Sequence, residues 1–218
     1  MHDPVLIKEV IENLKPKEGD SYLDATAGYG GHAKAVLEIT KNFDESILVD
    51  RDKEAHQYLN KMFEGRSIKI INNDFYTAAK NMVDENIKFD IILADLGVSS
   101  LHLDKASRGF SFMNEGPLDM RMDQKQSLSA DTIVNTWSLQ ELERILRDYG
   151  EEPRFRRIAK AIVDNRPYRT TTDLARLISK NVYGRRLKKH PATKTFQAIR
   201  IAVNDELGLV ERALPLWV

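Results

Sequence analysis

The sequence predicts an α/β protein built on a parallel β-sheet. Four short apolar runs alternate with longer segments of helical periodicity in the N-terminal half of the 218 residues. Each run ends in an aspartate or is followed closely by one. Strands that alternate with helices favour a parallel sheet with right-handed crossovers. Ligands of such sheets bind beyond the carboxyl ends of the strands, so the same pattern predicts where a site should lie.

The elements of this half follow one another with short turns. Apolar residues at positions 5, 6, 7, 10, 11 and 14 share one face of a first helix, and Pro16 and Gly19 end it. We expect the four strands at residues 21–23, 47–49, 68–71 and 89–94, and the helices that follow the first three strands to end near residues 39, 63 and 83.

A glycine-rich stretch joins the first strand to the next helix. It reads Asp24-Ala-Thr-Ala-Gly28-Tyr-Gly30-Gly31-His32. Glycines permit a tight turn and let a ligand approach the backbone, and the N–H groups of the helix start face that ligand. The second strand ends in Asp50, about twenty positions later, where a carboxylate suits the two hydroxyls of a ribose. The pattern predicts a ribose-bearing ligand and leaves a dinucleotide and S-adenosylmethionine both open.

Polar residues stand at the ends of all four predicted strands. They are Asp24, Asp50, Asp74 with Phe75, and Asp95. Because the carboxyl ends of parallel strands share one rim of the sheet, these residues together predict a ligand site. The alternative is that each aspartate only forms a turn or caps a helix.

Residues 97–123 show neither strand nor helix periodicity. Loops of this length are usually functional or disordered, and the richness in Phe, Met and Leu favours order. We expect a lid or substrate loop in which Arg108 and Arg121 hold a phosphate and Phe110 and Phe112 stack a base. The alternative, favoured for each aromatic residue taken singly, is a place in the core.

From Asp131 onward the sequence predicts helices only. Ser138-Leu-Gln-Glu141 matches a capping box, Pro153 fits a first helical position, and Thr172 fits a helix cap. A last long helix is expected over residues 193–207.

Two features of this helical region suit an anionic partner. A basic run could contact phosphate or form a solvated face, and it contains Arg185, Arg186, Lys188 and Lys189. Gln197, Arg200 and Asn204 form a polar stripe along the last helix that could face a cleft. Lysine plus arginine equals aspartate plus glutamate, 33 each, so a nucleic-acid partner requires such a local basic patch.

The composition narrows the class of protein. With 42% hydrophobic and 30% charged residues, it is typical of a soluble globular protein, and no apolar run is long enough to cross a bilayer. We expect no secretion signal, because the first residues lack a basic region followed by an apolar one, and the absence of cysteine fits a reducing compartment and excludes disulfides. The five histidines lack metal-ligand spacing. We therefore expect a cytoplasmic protein with neither a metal nor a membrane partner.

Taken together, the sequence resembles the bacterial 16S ribosomal RNA (cytosine-N4)-methyltransferase family of the MraW type. The matching blocks occur in the family's order and cover nearly the whole chain. They are His2-x-Pro4-Val5-Leu6, Asp24 to His32, Asp50-Arg-Asp52, Asp95-Leu-Gly-Val-Ser-Ser100, Arg108 to Phe112, Gly116 to Asp123, Tyr149-Gly-Glu-Glu152 and His190 to Leu207.

The resemblance implies a class I S-adenosylmethionine-dependent methyltransferase: a Rossmann-like parallel sheet with an inserted all-helical domain. Residues 1–104 would form the cofactor-binding core, 105–207 an ordered loop plus helical insertion facing RNA, and 208–218 the return to the core. S-adenosyl-L-methionine would be the methyl donor. The acceptor and partner would be a cytosine in the decoding centre of 16S rRNA in the small ribosomal subunit. The oligomeric state stays open, a homodimer included.

The resemblance also implies roles for single residues. Cofactor contacts would come from Gly28, Gly30, Gly31, His32, Asp50, Phe75, Asp95 and His102, the last at a position where the family usually has glutamine. From the chemistry of a poorly nucleophilic amine, we expect Asp95, helped by Ser99, to activate the cytosine amine; the alternative is that Asp95 serves only the cofactor. From the sequence pattern itself, we expect RNA contacts from Arg108, Phe110, Phe112, Arg121, Arg185, Arg186, Lys188, Lys189 and Arg200.

The family pattern departs from this sequence at the end. It continues with a Gly-Gly-Arg strand and further strands where this sequence stops at Val218, so the expectation is a truncated form or a fragment with an incomplete sheet. One alternative function is therefore an inactive homologue that binds cofactor or RNA. A second is an NAD-dependent oxidoreductase, which the glycine stretch and Asp50 would serve equally well.

Overall fold

The predicted α/β fold with a parallel sheet is confirmed. The computed structural model describes residues 4–182 and 190–218. The chain divides into two units, which we call the sheet unit, Met1–Ser99 with Leu207–Val218, and the helical unit, Ser100–Glu206.

The sheet unit contains four parallel strands in the order β3-β2-β1-β4. The strands are β1 (Tyr22–Asp24), β2 (Ile47–Val49), β3 (Lys69–Ile71) and β4 (Ile91–Leu93). In the register, Leu23 lies opposite Ile47 on one side and Ile92 on the other. The central position of β1 brings the glycine stretch that follows it between the ends of β2 and β4.

Within its described residues, the sheet unit contains five helices, the last of which belongs mainly to it. They are α1 (Ile7–Leu14), α2 (Gly31–Thr40), α3 (Lys53–Met62), α4 (Phe75–Asp84) and, near the C-terminus, α11 (Glu206–Ala213). Successive strand residues point to opposite faces. Tyr22 and Leu48 therefore pack with α1, α2 and α3, whereas Leu23 and Ile47 pack with α4 and Trp217 on the other face.

The helical unit contains six helices and one 3₁₀ turn within its described residues. They are α5 (Ser100–Asp104), the 3₁₀ turn Ala106–Arg108, α6 (Ala130–Thr136), α7 (Leu139–Asp148), α8 (Phe155–Asp164), α9 (Thr171–Asn181) and α10 (Thr193–Asn204). The predicted capping box at the start of α7 is confirmed, because Ser138 Oγ accepts the N–H of Glu141 and the Glu141 carboxylate accepts the N–H of Ser138. Such reciprocal bonds fix where a helix begins.

Two predicted helix starts were wrong. Helix α9 is capped by Thr170, whose Oγ1 accepts the N–H of Asp173 at 3.2 Å, and not by Thr172. Helix α8 begins at Phe155 after the cap position Arg154, so Pro153 precedes the helix. In both cases the apolar periodicity predicts which face of the helix is buried. It does not predict which residue occupies the cap position.

The last predicted helix is also corrected, because α10 ends at Asn204 and not near residue 207. Asp205 takes a left-handed conformation with φ 48°, which is a common way to end a helix. Arg200 secures this end through two hydrogen bonds to the Glu206 carboxylate, both at 2.9 Å. Leu207 therefore lies beyond the end of α10 and does not continue its apolar face. It is 47% exposed.

Buried hydrogen bonds order the predicted long loop. The Asn204 amide donates to the carbonyl of Met120 and accepts the N–H of Met122, both at 2.8 Å. The loop also approaches itself closely, since a Cβ on Gly116 would collide with the carbonyl of Ala106. The prediction of a loop is corrected at α5 and at the 3₁₀ turn Ala106–Arg108, which lie within it, and these contacts order the remainder.

Among the helices in the described ranges, none combines the length and apolar character that crossing a bilayer requires.

Replacing Asn204 with alanine should destabilise the helical unit. The change leaves the buried Met120 carbonyl and Met122 N–H without their amide partner, at about 1–3 kcal/mol for each group. We expect the free energy of unfolding to fall by about 3 kcal/mol. The chain has two tryptophans, Trp137 in the helical unit and Trp217 in the sheet unit, so urea unfolding of a Trp217→Phe background reports on the helical unit.

The control is Asn165→Ala, which removes an exposed amide that bonds the Ala161 carbonyl within its own helix. This change should cost less than about 0.5 kcal/mol. Equally small losses for the two alanine variants would contradict the role given to Asn204.

Candidate functional site

The glycine loop, residues 25–30, is tied by its backbone to both neighbouring strands. The N–H of Ala25 donates to the carbonyl of Leu93 at the end of β4, at 2.8 Å, and the N–H of Ala27 donates to the carbonyl of Val49 at the end of β2, at 2.9 Å. The loop therefore extends the sheet past its last ladder bonds before α2 begins.

Two carboxylates complete this attachment. Asp50 Oδ2 accepts the N–H of Gly28 at 2.7 Å, while its Oδ1 accepts the N–H of Asp52 at 2.7 Å. Asp24 Oδ1 accepts the N–H of Thr26 at 3.2 Å. Loop N–H groups that the sheet leaves unpaired thus bind carboxylates from the ends of β1 and β2.

The Asp24 carboxyl is buried and hydrogen-bonded within its own strand. It is 1% exposed, and its Oδ2 accepts the hydroxyl of Tyr22 at 2.8 Å. Burial raises the pKa of Asp24 to about 6, although the bonds from Tyr22 and Thr26 and the nearby His32 act in the opposite direction. Burial and the neighbouring carboxylate likewise raise the pKa of Tyr22.

The three glycines serve different purposes. A Cβ on Gly30 would lie 2.9 Å from Leu59 and from Met62, and one on Gly31 would lie 3.0 Å from Pro4. A Cβ on Gly28 would have only the Thr26 carbonyl oxygen near it, at 3.9 Å. Gly30 and Gly31 therefore allow close packing, whereas the backbone at Gly28 is the part of the loop open to a ligand.

Asp95 stands two residues beyond β4 and is the exposed carboxylate of this rim. Its side chain is 56% exposed and lies 3.7 Å from His32 Nδ1, and its N–H donates to Thr26 Oγ1 at 2.6 Å. His32 Nε2 lies 2.9 Å from the carbonyl oxygen of Val5. A carbonyl oxygen only accepts, so Nε2 is the donor. His32 Nε2 thereby holds the segment before α1, while Nδ1 would form an ion pair with Asp95 only in the protonated ring.

Phe75 opens α4 beside the glycine loop. It is buried in a cluster with Ala25, Leu209 and Ala213, and its ring centroid lies 5.6 Å from that of Trp217. Residues of α11, the nearby Trp217 and Ala25 of the glycine loop therefore all pack against Phe75.

For Asp74 the alternative interpretation as a helix cap is confirmed. Its carboxylate accepts both the N–H and the hydroxyl of Thr77 at 2.8 Å, at the start of α4. Asp52 caps α3 in the same way by accepting the N–H of Glu54. Of the four predicted strand-end aspartates, Asp24, Asp50 and Asp95 surround the glycine loop.

The remaining predicted catalytic and cofactor residues, Ser99 and His102, do not belong to the glycine loop or to the strand ends. Ser99 is half-buried at the end of the sheet unit's first segment. His102 belongs to the helical unit, where it is 7% exposed and stacks on Phe110 with ring centroids 4.9 Å apart. The role of His102 toward a cofactor stays a prediction.

Three arginines predicted to contact RNA have partners inside the helical unit. Arg108 is 3% exposed and donates to the carbonyls of Arg121 and Met122. Arg121 forms two hydrogen bonds to the Asp119 carboxylate at 2.7 and 2.9 Å, which raises its pKa. Arg200 pairs with Glu206. These bonds occupy part of the five N–H donors of each guanidinium and fix its orientation inside the unit.

The predicted aromatic RNA contacts differ in exposure. Phe110 is 6% exposed, while Phe112 is half-buried between His190 and Phe196. The basic residues Arg185, Arg186, Lys188 and Lys189 lie outside the described residues. Within the described ranges, no group of three or more His, Asp and Glu side chains could hold a metal ion.

Sequence reasoning missed the residues that hold the predicted ones in place. Tyr22 lies two positions before Asp24 on the same strand face, a spacing that could have indicated the bond between them. Thr26 stands inside the glycine motif, yet its contact with Asp95 depends on the pairing of β1 with β4. Trp217 lies far from Phe75 in sequence, and no pattern connects the two.

The raised pKa of Asp24 predicts how stability depends on pH. Between its ordinary pKa of 3.8 and the folded value of about 6, the folded protein keeps a proton that the unfolded chain has lost. The stability contributed by Asp24 therefore falls as pH rises through this window, by up to about 3 kcal/mol. Asparagine cannot ionise. The free energy of unfolding of Asp24→Asn should therefore increase relative to that of the parent protein as pH rises from 4 to 7.

Urea unfolding followed by Trp217 in a Trp137→Phe background measures this difference. Asp90 supplies a control of opposite sign, because hydrogen bonds from the Ser21 backbone and hydroxyl lower its pKa. Asp90→Asn should lose stability relative to the parent as pH rises through the range where the unfolded carboxyl ionises. Parallel pH profiles for Asp24→Asn and the parent would refute the assigned burial effect.

Known protein families and named relatives resemble this chain along its length. The model of the MraW methylase family matches residues 1–218. The chain is 46% identical to the ribosomal RNA small subunit methyltransferase H of Synechocystis sp., over 100% of this chain and 73% of that protein. Proteins of the same name from Cyanothece sp. and Caldicellulosiruptor bescii are 45% and 46% identical, over 100% and 98% of this chain and 74% and 71% of their own lengths.

These matches extend over the glycine loop, the strand ends and the helical unit alike. Identity at this level along the whole chain establishes common descent and a common fold. This chain belongs to the MraW methylase family.

Proposed function

We propose that this protein uses S-adenosyl-L-methionine to methylate N4 of a cytidine in the decoding centre of 16S rRNA. Its membership of a methylase family supports methyl transfer, and relatives named for the small-subunit ribosomal RNA support the acceptor. The observation that carries the proposal is the open Gly28 backbone, with the Asp50 carboxylate bound to its N–H and the exposed Asp95 on the same rim.

The glycine loop and Asp50 suit the nucleoside part of the donor. A carboxylate accepts up to about four hydrogen bonds, so Asp50 can hold Gly28 and also accept from a pair of ribose hydroxyls. Phe75, supported by Ala25 and Trp217, offers an apolar surface near the loop for the adenine. These residues fit the donor, whereas Gly30 and Gly31 contribute by letting the loop pack closely.

Bound S-adenosyl-L-methionine supplies an electrophilic methyl group on a sulfonium. The exocyclic amine of cytosine is a poor nucleophile because its lone pair is delocalised into the ring, so much of the rate must come from alignment. We assign Asp95 as the hydrogen-bond and proton acceptor for the cytosine amine. Its carboxylate accepts a hydrogen bond from N4, stabilises the positive charge that develops there and takes up the proton that N4 loses.

The surroundings of Asp95 fit this role. The bond from its N–H to Thr26 fixes the backbone, and a protonated His32 would form an ion pair with the carboxylate. The side chain nevertheless stays accessible, as a group that contacts a substrate must be. Ser99, four residues further on, is proposed to assist in positioning the amine.

The acceptor RNA is assigned to the helical unit. Single-stranded bases are commonly recognised by stacking on aromatic side chains, and the base to be modified must leave its stack. Phosphate contacts are proposed for Arg185, Arg186, Lys188 and Lys189. A ribosomal RNA acceptor also implies that the protein acts in the cytoplasm.

The proposal is tested by methyl transfer to small ribosomal subunits that lack the modification. Purified protein and S-adenosyl-L-methionine with a labelled methyl group are incubated with these subunits, and the extracted 16S rRNA is digested to nucleosides. We expect label in N4-methylcytidine. A folded protein that binds the donor but transfers no label would instead support the inactive-homologue alternative.

In this assay Asp95→Asn should lower kcat by about 100-fold or more, because an amide cannot accept the proton. The fold should persist, since the side chain is 56% exposed. The matched control is Asp74→Asn, which changes a carboxylate of the same rim but preserves helix capping because asparagine is an equally good cap. Activity of Asp95→Asn close to that of the Asp74→Asn control would remove Asp95 from the mechanism.

A further inference from the structure

Three aromatic rings in the helical unit form a continuous stack from the core to the surface. Phe196, on α10, is 5% exposed. Its ring meets Phe112 edge to face, with centroids 4.8 Å apart and planes at 73°. Phe112 in turn stacks on His190, with centroids 4.6 Å apart and planes at 27°. His190 is exposed, so the stack ends in an imidazole ring whose second face is directed away from Phe112.

A second contact fixes the rotation of the His190 ring. Its Nδ1 accepts the N–H of Ala192 at 3.2 Å, immediately before α10. In the neutral ring the proton is therefore on Nε2, at the opposite edge. Stacking and this hydrogen bond together hold an exposed flat ring in one orientation, so a ligand that stacks on it pays little further side-chain entropy.

We propose that the outer face of His190 is a stacking platform for a nucleobase of the single-stranded RNA acceptor. The proposal rests on the proposed function and names a contact within it. A nucleobase suits the platform because stacking on an aromatic or histidine ring is the usual way in which proteins hold an unpaired base. The Nε2–H at the ring edge can donate to an oxygen of the base or the backbone.

The other histidine–phenylalanine pair of this unit shows what a purely internal stack looks like. His102 and Phe110 stack at 4.9 Å and 26°, but they are only 7% and 6% exposed. His190 has the same geometry toward Phe112 and differs in being exposed. The sequence predicted base stacking by Phe112 itself, and the structure moves the exposed ring one position outward, to His190.

Two substitutions separate the ring from the hydrogen bond. His190→Asn keeps a side-chain acceptor for the N–H two residues ahead and removes the ring. His190→Phe keeps a flat ring on Phe112 and removes the acceptor. If His190 is a stacking platform, the ring is required, and RNA binding should weaken in His190→Asn but not in His190→Phe. If His190 only accepts the N–H at the start of α10, the acceptor is required, and His190→Phe should be the impaired variant.

The binding probe is a single-stranded RNA oligonucleotide that contains 2-aminopurine, whose fluorescence falls on stacking. Stacking on one side chain contributes about 1–3 kcal/mol per base, so His190→Asn should weaken RNA binding about tenfold and lose most of the fluorescence change. His190→Phe should bind within about twofold of the parent. In methyl transfer, His190→Asn should raise KM for small subunits and leave kcat and the affinity for S-adenosyl-L-methionine unchanged.

Thermal unfolding followed by Trp137 checks that the variants fold. If His190→Asn is unstable, Phe112→Leu removes the ring beneath His190 and should also weaken RNA binding. Parent-like RNA binding by folded His190→Asn overturns the platform, as does a parent protein that binds no RNA. These results differ from failure of the proposed function, which is a parent protein that binds RNA and transfers no methyl group.

Discussion

The attachment of the glycine loop to Asp50 is the interaction on which the site depends. One carboxylate oxygen holds Gly28 and the other holds the turn into α3, so the ends of β1 and β2 cannot move independently. That bond presents the open backbone of Gly28 beside a charged acceptor. Asp24 holds the loop from beneath, buried against Tyr22. Burial raises the pKa of Asp24 to about 6, so this placement lowers stability as pH rises from 3.8 to about 6.

Buried polar contacts, as well as apolar helix faces, hold the helical unit together. Asn204 joins α10 to the loop at Met120 and Met122, and Arg108 and Arg121 bind carbonyls of that loop. These groups show why abundant arginine does not by itself define an RNA surface. The groups best suited to a nucleic acid are those that the internal network leaves accessible, and His190 is the clearest of them among the described residues.

The sequence predicted the features that depend on local pattern. The bounds of β2 agree with the structure because an unbroken apolar run defines the strand, and α3 ends at Met62, next to the predicted residue 63. The prediction of one helix over 193–207 was wrong because a single left-handed residue, Asp205, leaves no trace in apolar periodicity. The burial of Arg108 was equally invisible, since charge suggests exposure and only the folded loop supplies its carbonyl partners. The class I methyltransferase fold followed from resemblance, and the distinct uses of the three glycines required coordinates.

We propose that the glycine loop held by Asp50 accepts the nucleoside of S-adenosyl-L-methionine and not that of a dinucleotide. Isothermal titration of both ligands into the same folded, monodisperse protein tests it most directly. Binding of S-adenosyl-L-methionine with one-to-one stoichiometry, and no heat of binding with NAD, is the expected result. Binding of NAD, or of neither ligand, would contradict the claim.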